Sequence, residues 1–376
     1  MTKGKATSVS RRSFLARSAL AGGTAAASLA APAVLAQSPI AVRMQTSWPA
    51  SDIFMDFARQ YAERVQAMSG GRLAIDLLPA GSVVGAFEVI DAVHDGRLDA
   101  AHTLPPYWYN KHKAASLFGA GPAFGGSATT MLGWFHAGGG KEFYRELTQD
   151  ILGLNVYGFF GFPMPAEPLG WFKQPVSGVA QLQGLRYRTV GLAAELMEKL
   201  GMRVEQLPGA EIVSAMQRGD IDAFEFANPS SDLRFGAQDV ASNYVLSSYH
   251  QSSESFEFLF NRDFFDGLGP DLKAILQYGV EAAGSANTAM ALDNYSADLR
   301  RLQDGGVTVQ RTSQEILDAQ LKAWDEIVAD LESDEFTKRL LDSQRAWVER
   351  VVFYELMNAT DLARAYEHHF PGNLSL

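Results

Sequence analysis

The chain has 376 residues, a formal net charge of −11 at pH 7 and no cysteine. The acidic balance argues against nucleic acid as a partner, and the missing cysteines exclude disulfides, thiolate metal sites and cysteine nucleophiles. If so negative a molecule captures an acid, it needs a local cationic anchor set against its general field.

In chain order, the first feature is Ser10-Arg11-Arg12-Ser13-Phe14-Leu15, paired arginines ahead of a small apolar run from Ala19 to Ala36. This is the pattern of a twin-arginine export signal occupying residues 1–36, with Val34-Leu35-Ala36 suited to cleavage before Gln37 and a periplasmic destination. A membrane anchor fits less well. A spanning helix wants about 20 strongly apolar residues, whereas Gly22, Gly23, Thr24, Ser28 and Pro32 interrupt this run. Cleavage removes Lys3, Lys5, Arg11, Arg12 and Arg17 and no acidic residue, leaving a chain more acidic still. What remains exceeds one comfortable core, so two lobes are expected.

Residues 41–46 alternate as a strand, Asp52 to Met68 carries apolar side chains at helical spacing, and Leu73 to Leu77 is a second strand. An internal repeat follows. Ala92-Val93-His94-Asp95-Gly96-Arg97-Leu98-Asp99-Ala100 recurs as Ala215-Met216-Gln217-Arg218-Gly219-Asp220-Ile221-Asp222-Ala223, and each copy reads as a helix end, a glycine and a strand. Around the second copy, residues 185–190 and 203–206 read as strands flanking a helix over 192–200. Two such units imply two α/β lobes with largely parallel sheets and a ligand cleft beyond the strand carboxyl ends. Tyr107, Trp108 and Tyr109 follow the first-copy strand there, so at least one aromatic wall of the cleft is expected from them, with Tyr107 and Trp108 as the candidates. From Pro270 onward the pattern turns helical, with candidates over 272–287, 314–332 and 336–369. The last is apolar around more than one face, which fits either packing across the backs of both lobes or a homodimer interface.

These segments resemble the solute-binding subunits of TRAP (tripartite ATP-independent periplasmic) transporters, in particular the branch that binds 2-oxo and related monocarboxylic acids. The resemblance is carried by Leu117-Phe118-Gly119-Ala120-Gly121-Pro122-Ala123-Phe124-Gly125, Met131-Leu132-Gly133-Trp134, Leu152-Gly153-Leu154-Asn155-Val156, Pro168-Leu169-Gly170-Trp171-Phe172-Lys173, Gly184-Leu185-Arg186-Tyr187-Arg188 and Arg218-Gly219-Asp220-Ile221-Asp222-Ala223. It implies a periplasmic binding protein-like α/β fold: lobe I over 37–160 and 245–300, lobe II over 161–244, and C-terminal scaffold or dimerisation helices over 301–376. It also implies a small organic acid as ligand and the TRAP membrane permease as partner.

The resemblance places Arg188 as the clamp on the ligand carboxylate, a role suited to a guanidinium's parallel donors. It puts Glu167 where relatives often have a glutamine touching the ligand, and Glu225 and Phe226 where relatives read Glu-Trp. Gln251 falls where they place a glutamate. In relatives the last three positions bind a cation bridging protein and ligand, so Na⁺ or Ca²⁺ is implied with Glu225, Phe226 and Gln251 as its ligands. Here glutamine and glutamate have changed places between 167 and 251. Either the cation persists with Glu167 adding charge, or a metal-free site takes a hydroxy or amino acid whose donor Glu167 accepts.

An exported enzyme is a rival reading, but the chain shows neither a Gly-x-Ser-x-Gly elbow nor a His-Glu-x-x-His helix, and no catalytic residues are assigned. A receptor for an ATP-driven importer or a membrane sensor is another.

Overall fold

The computed structural model describes residues 38–374; the twin-arginine segment, 1–36, lies outside them. Among the described residues no helix is long and apolar enough to cross a membrane. Two sheets organise the described residues. The first has the order β2-β1-β3-β10-β4, built from β1 (Ile40–Thr46), β2 (Leu73–Leu78), β3 (Ala100–Thr103), β4 (Val156–Met164) and β10 (Glu254–Asn261). The second has the order β11-β9-β5-β8-β6-β7, from β5 (Gly170–Phe172), β6 (Arg186–Arg188), β7 (Arg203–Glu205), β8 (Ala223–Phe224), β9 (Asn243–Leu246) and β11 (Thr308–Arg311). Each sheet is parallel except for one strand: β10 runs antiparallel to β3 and β4, and β5 antiparallel to β8 and β9. Those two are the strands by which the chain enters one lobe from the other.

The repeat is explained by what its aspartates do. Helices α2 (Val89–His94) and α6 (Ile212–Arg218) are each followed within two residues by a glycine with positive φ, Gly96 at 71° and Gly219 at 76°, which an L side chain resists. Beyond the glycine, Asp99 Oδ2 accepts from the Arg43 amide (2.8 Å) and Asp222 Oδ2 from the Arg186 amide (3.1 Å). Each aspartate thus satisfies an N–H of the neighbouring strand beside the point where β3 or β8 joins its sheet.

The lobes are in contact on both sides of the cleft. Asp52 caps α1 (Ile53–Met68) through the Phe54 amide (2.8 Å) and also accepts from Ser231 Oγ (2.9 Å) on α7 (Pro229–Phe235). Arg234 on α7 reaches Asp56 of α1 at 2.7 Å. Opposite them, Lys113 pairs with Glu195 at 2.7 Å and Ser116 Oγ accepts from the Leu192 amide at 3.2 Å, where α5 (Leu192–Lys199) begins.

The lobe limits differ from expectation in three places. β4 continues to Met164 because Met164 still pairs with Glu254, and β9 continues to Leu246 because β11 pairs along it from Thr308↔Asn243 to Arg311↔Leu246. β11 itself, inside the segment expected to be helical scaffold, is an edge strand of the second sheet. The helix expected over 336–369 is two, α11 (Glu335–Asn358) and α12 (Leu362–His369), because Asp361 accepts from the Arg364 amide and starts a new helix. The candidate over 272–287 runs longer, as α9 (Pro270–Asp304), and packs against both β4 and α7.

Candidate functional site

Arg188 ends β6, and its side chain is shut off from solvent. Nε donates to the Leu207 carbonyl (2.8 Å); Nη1 donates to the Glu225 carbonyl (2.9 Å) and to Glu225 Oε1 (3.1 Å); Nη2 is buried without a partner. The guanidinium stacks over the Phe226 ring, 5.6 Å from its centroid. Arg186, two residues earlier, is not part of this arrangement. It is half exposed and holds Asp222 through Nε and Nη2.

Around Arg188 stand three glutamates, Glu167 (1% exposed), Glu225 (0%) and Glu254 (2%). Glu167 lies on the segment joining β4 to β5, Glu225 follows β8, and Glu254 opens β10. The Glu225 and Glu254 carboxyls lie close enough to Glu167 for their charges to act on it. Burial, then the charges of Glu254 and Glu225, holds the Glu167 carboxyl well above the usual carboxylate range. Burial also raises Glu225 despite Arg188, and pushes Glu254 up to about 7. One oxygen of each, Oε2, has no partner. Three carboxyls with one cation and four orphaned polar atoms make a site that is chemically incomplete in the protein alone.

Two crossing segments meet here. The Glu167 amide donates to the Gln251 carbonyl at 3.0 Å, tying the β4–β5 segment to the one between β9 and β10. The Gln251 amide is engaged at both ends: Nε2 donates to Glu254 Oε1 (3.0 Å), and Oε1 accepts from Thr189 Oγ1 (3.4 Å). Gln251 thus keeps a carboxylate at its side, that of Glu254, three residues on. His250 is fully buried, and burial lowers its pKa to about 3, so the ring is neutral. One of its ring nitrogens lies within 4.8 Å of carboxylate oxygens of Glu167 and Glu225.

The structure brings together Arg188, Glu167, Glu225, Phe226 and Gln251. Tyr107 joins them, partly buried and facing the charges of Arg188 and all three glutamates. Trp108 does not. A short helical turn over Pro105–Trp108 sends it into the first lobe, where Nε1 donates to Glu257 (2.9 Å), and it is buried there rather than walling the cleft. Sequence reasoning passed over Glu254 and His250. Glu254 carried a signal, since a carboxylate at the head of the apolar Glu254–Asn261 run must find a buried partner.

The family model for bacterial extracellular solute-binding proteins, family 7, matches residues 44–334. A monocarboxylate 2-oxoacid-binding periplasmic protein of Nostoc sp. is 31% identical over 321 residues, covering 84% of this chain and 86% of the relative. A TRAP transporter solute-binding protein of Bordetella bronchiseptica, a mixed-occupancy dimer with copurified calcium and picolinate in one active site and an apo site in the other, superposes with a TM-score of 0.82. It is 25% identical, over 89% of this chain and 98% of its own. A TRAP periplasmic solute-binding protein of Pseudoalteromonas atlantica with bound sodium and pyruvate gives a TM-score of 0.80 at 28% identity, over 88% and 99%.

Proposed function

Because the chain belongs to family 7 of the bacterial extracellular solute-binding proteins, as a TRAP solute-binding receptor, we propose that it encloses a small monocarboxylic acid of the 2-oxo or hydroxy class against Arg188. The observation that carries this reading is the free Nη2 of Arg188, buried beside three carboxyl oxygens that also lack partners. A ligand carboxylate takes the unused donor, with hydrogen bonds to a charged group contributing roughly 1.5–3 kcal/mol. Phe226 and Tyr107 supply apolar wall.

One guanidinium cannot by itself balance three glutamates and an incoming carboxylate. An oxygen-rich, sulfur-free donor set with orphaned oxygens fits a hard cation of the sodium or calcium kind. Glu225 and Glu167 would hold it, with the carbonyl of Phe226 and Gln251 beside them. Bound there, the cation supplies the positive charge that lets the carboxyls stay ionised next to an anionic ligand. Calorimetric titration of pyruvate and its hydroxy and branched analogues, before and after chelation, tests this. Affinity that collapses on chelation and returns with calcium or sodium is the expected result. Indifference both to chelation and to exchange into sodium-free buffer gives the role to a protonated Glu167 donating to the ligand, a form its raised pKa favours.

The reading makes the protein a receptor that hands its ligand to a membrane permease, without a catalytic step; product formation from a bound acid would overturn it. Export by the twin-arginine route follows from Arg11 and Arg12 and is tested by replacing both with lysine and following processing. Self-association through the C-terminal helices is supported by the apolar side chains exposed on them, among them Phe353, Leu356, Met357 and Leu362, each at least 66% exposed.

A further inference from the structure

β4 is an edge strand of the first sheet, so no further strand among the described residues covers its outer side. α9 covers one end of it. A Cβ added to Gly284 would come within 2.6 Å of the Phe162 amide nitrogen, and one on Gly161 within 2.8 Å of the Val280 carbonyl. Toward Tyr157 the helix and the strand part, and a cavity of about 180 Å³ lies between them, with α3 (Ala128–Ala137) and α4 (Gly140–Arg145) as its third side. Its walls are rings: Phe135 and Phe160 with centroids 4.2 Å apart, Tyr144 edge-on to Phe160 at 5.2 Å, and Phe159. Gly158 leaves room for Tyr144, since a Cβ there would collide with its hydroxyl, which donates to Glu257. The aromatic wall is thus fixed from behind. An apolar cavity of about 150 Å³ accepts benzene, so this one takes a single ring.

The rim carries both signs of charge. Lys141 on α4 and Glu281 on α9 are exposed there. Burial lowers the His136 pKa, Lys141 pushes it the same way and Glu281 opposes them, so both charges stand near one ring of the cavity. Arg145, also at the rim, is held by Asp150 at 2.9 Å, whereas Lys141 and Glu281 have no ion-pair partner among the described residues. We propose that the cavity is a second binding site, for a small amphoteric aromatic molecule of the aromatic amino acid class. The ring enters among Phe135, Phe159 and Phe160, where edge-to-face and offset contacts with aromatic neighbours are available. The carboxylate turns to Lys141 and the ammonium to Glu281. A simple carboxylate would meet Glu281 as well as Lys141, and a simple amine would meet Lys141 as well as Glu281, so only a molecule with both charges satisfies the rim. The cavity shares no lining residue with the Arg188 site, and its ligand is of a different class from the acid enclosed there.

The whole protein is titrated calorimetrically with L-phenylalanine, 3-phenylpropionate, phenethylamine and glycine, with and without saturating pyruvate. The expected results are saturable phenylalanine binding with a Kd of about 1 mM or tighter, unchanged by pyruvate, and affinities about threefold or more weaker for the other three compounds. Lys141→Gln should weaken phenylalanine and phenylpropionate by about threefold or more and leave phenethylamine no weaker; Glu281→Gln should weaken phenylalanine and phenethylamine and leave phenylpropionate no weaker. Both replaced side chains are exposed, and an unchanged melting temperature checks that each variant is folded. Equal affinity for the three ring compounds, or variants that bind phenylalanine as well as wild type does, overturns the amphoteric assignment. Absence of phenylalanine binding, or its displacement by pyruvate, overturns the second site altogether. A failure of pyruvate itself to bind counts against the Arg188 reading alone, because the two variants still decide the cavity.

Discussion

Arg188 Nη1 lies 3.1 Å from Glu225 Oε1, and neither side chain is more than 1% exposed, so the ion pair occupies one arm of a fork whose other arm is free. Replacing Arg188 by lysine keeps the charge and loses the fork. Acid affinity should fall by about ten- to a hundredfold, since a single charge-assisted hydrogen bond is worth roughly 1.5–3 kcal/mol. Arg188→Met should abolish binding and cost about 3–5 kcal/mol of stability by stranding Glu225. Titration calorimetry and denaturant unfolding read the two effects separately; full acid affinity in either variant contradicts the clamp.

Glu167 and Gln251, whose backbones meet in the site, give a double-mutant cycle. Gln251→Glu alone adds a fourth carboxyl beside Glu254 and should weaken acid binding. Glu167→Gln alone removes charge from the cation set. The double variant keeps the number of carboxyls and should recover much of the loss, with a coupling energy of about 0.5–3 kcal/mol. Strictly additive losses would mean that the two positions do not share one charge balance, despite the 3.0 Å contact between their backbones.

Asp52 is one of the buried carboxyls that make stability depend on pH. Burial pushes its carboxyl up to about 6, against the lowering effects of the Phe54 amide, Ser231 and Arg234. The folded state therefore takes up a proton between about pH 4 and 6, and the Asp52 contribution to stability is lost as pH rises through that window, by up to ~3 kcal/mol. Asn keeps an oxygen for Phe54 and Ser231 without the charge. Asp52→Asn should be more stable than wild type at pH 8 and no more stable at pH 4, measured by urea unfolding at both. An equal difference at the two pH values would show that the carboxyl does not titrate in this way.

Gly191 sits at φ +63° and ψ −147°, a region essentially reserved for glycine, with Ser116 and Pro106 of the other lobe close by. A Cβ there would come within 2.7 Å of Ser116 Oγ and 2.9 Å of Pro106 Cβ. Gly191→Ala should cost about 1–3 kcal/mol of stability from backbone strain. It should also resist closure, so that small-angle scattering shows little compaction when acid is added. Normal compaction would mean that the lobes need not approach so closely at this point.

The exposed C-terminal face predicts that Leu356→Glu with Met357→Glu shifts the protein toward monomer in light scattering, with little change in melting temperature. A monomeric wild type would remove the basis for it.

What the sequence could and could not reveal follows from how local each signal is. Arg188 was legible because a strand, a repeat and a family resemblance converge on its neighbourhood, and the duplicated aspartates mark both sheets. Trp108 misled because its partner, Glu257, lies 149 residues away and nothing near Trp108 announces it. β11 is a four-residue edge strand whose existence depends on β9 being alongside. His250 and Glu254 stand on either side of a turn without periodicity, and only the folded chain brings them to Glu225.

The two non-helical connections between the lobes, residues 165–169 and 247–253, are also the segments that bear Glu167, His250 and Gln251. Whatever fills the site therefore fastens the pivots of the molecule and not merely its lips. On the proposed reading, loading would stiffen the joint itself, and a surface that moves with either lobe would carry that change outward without touching the ligand.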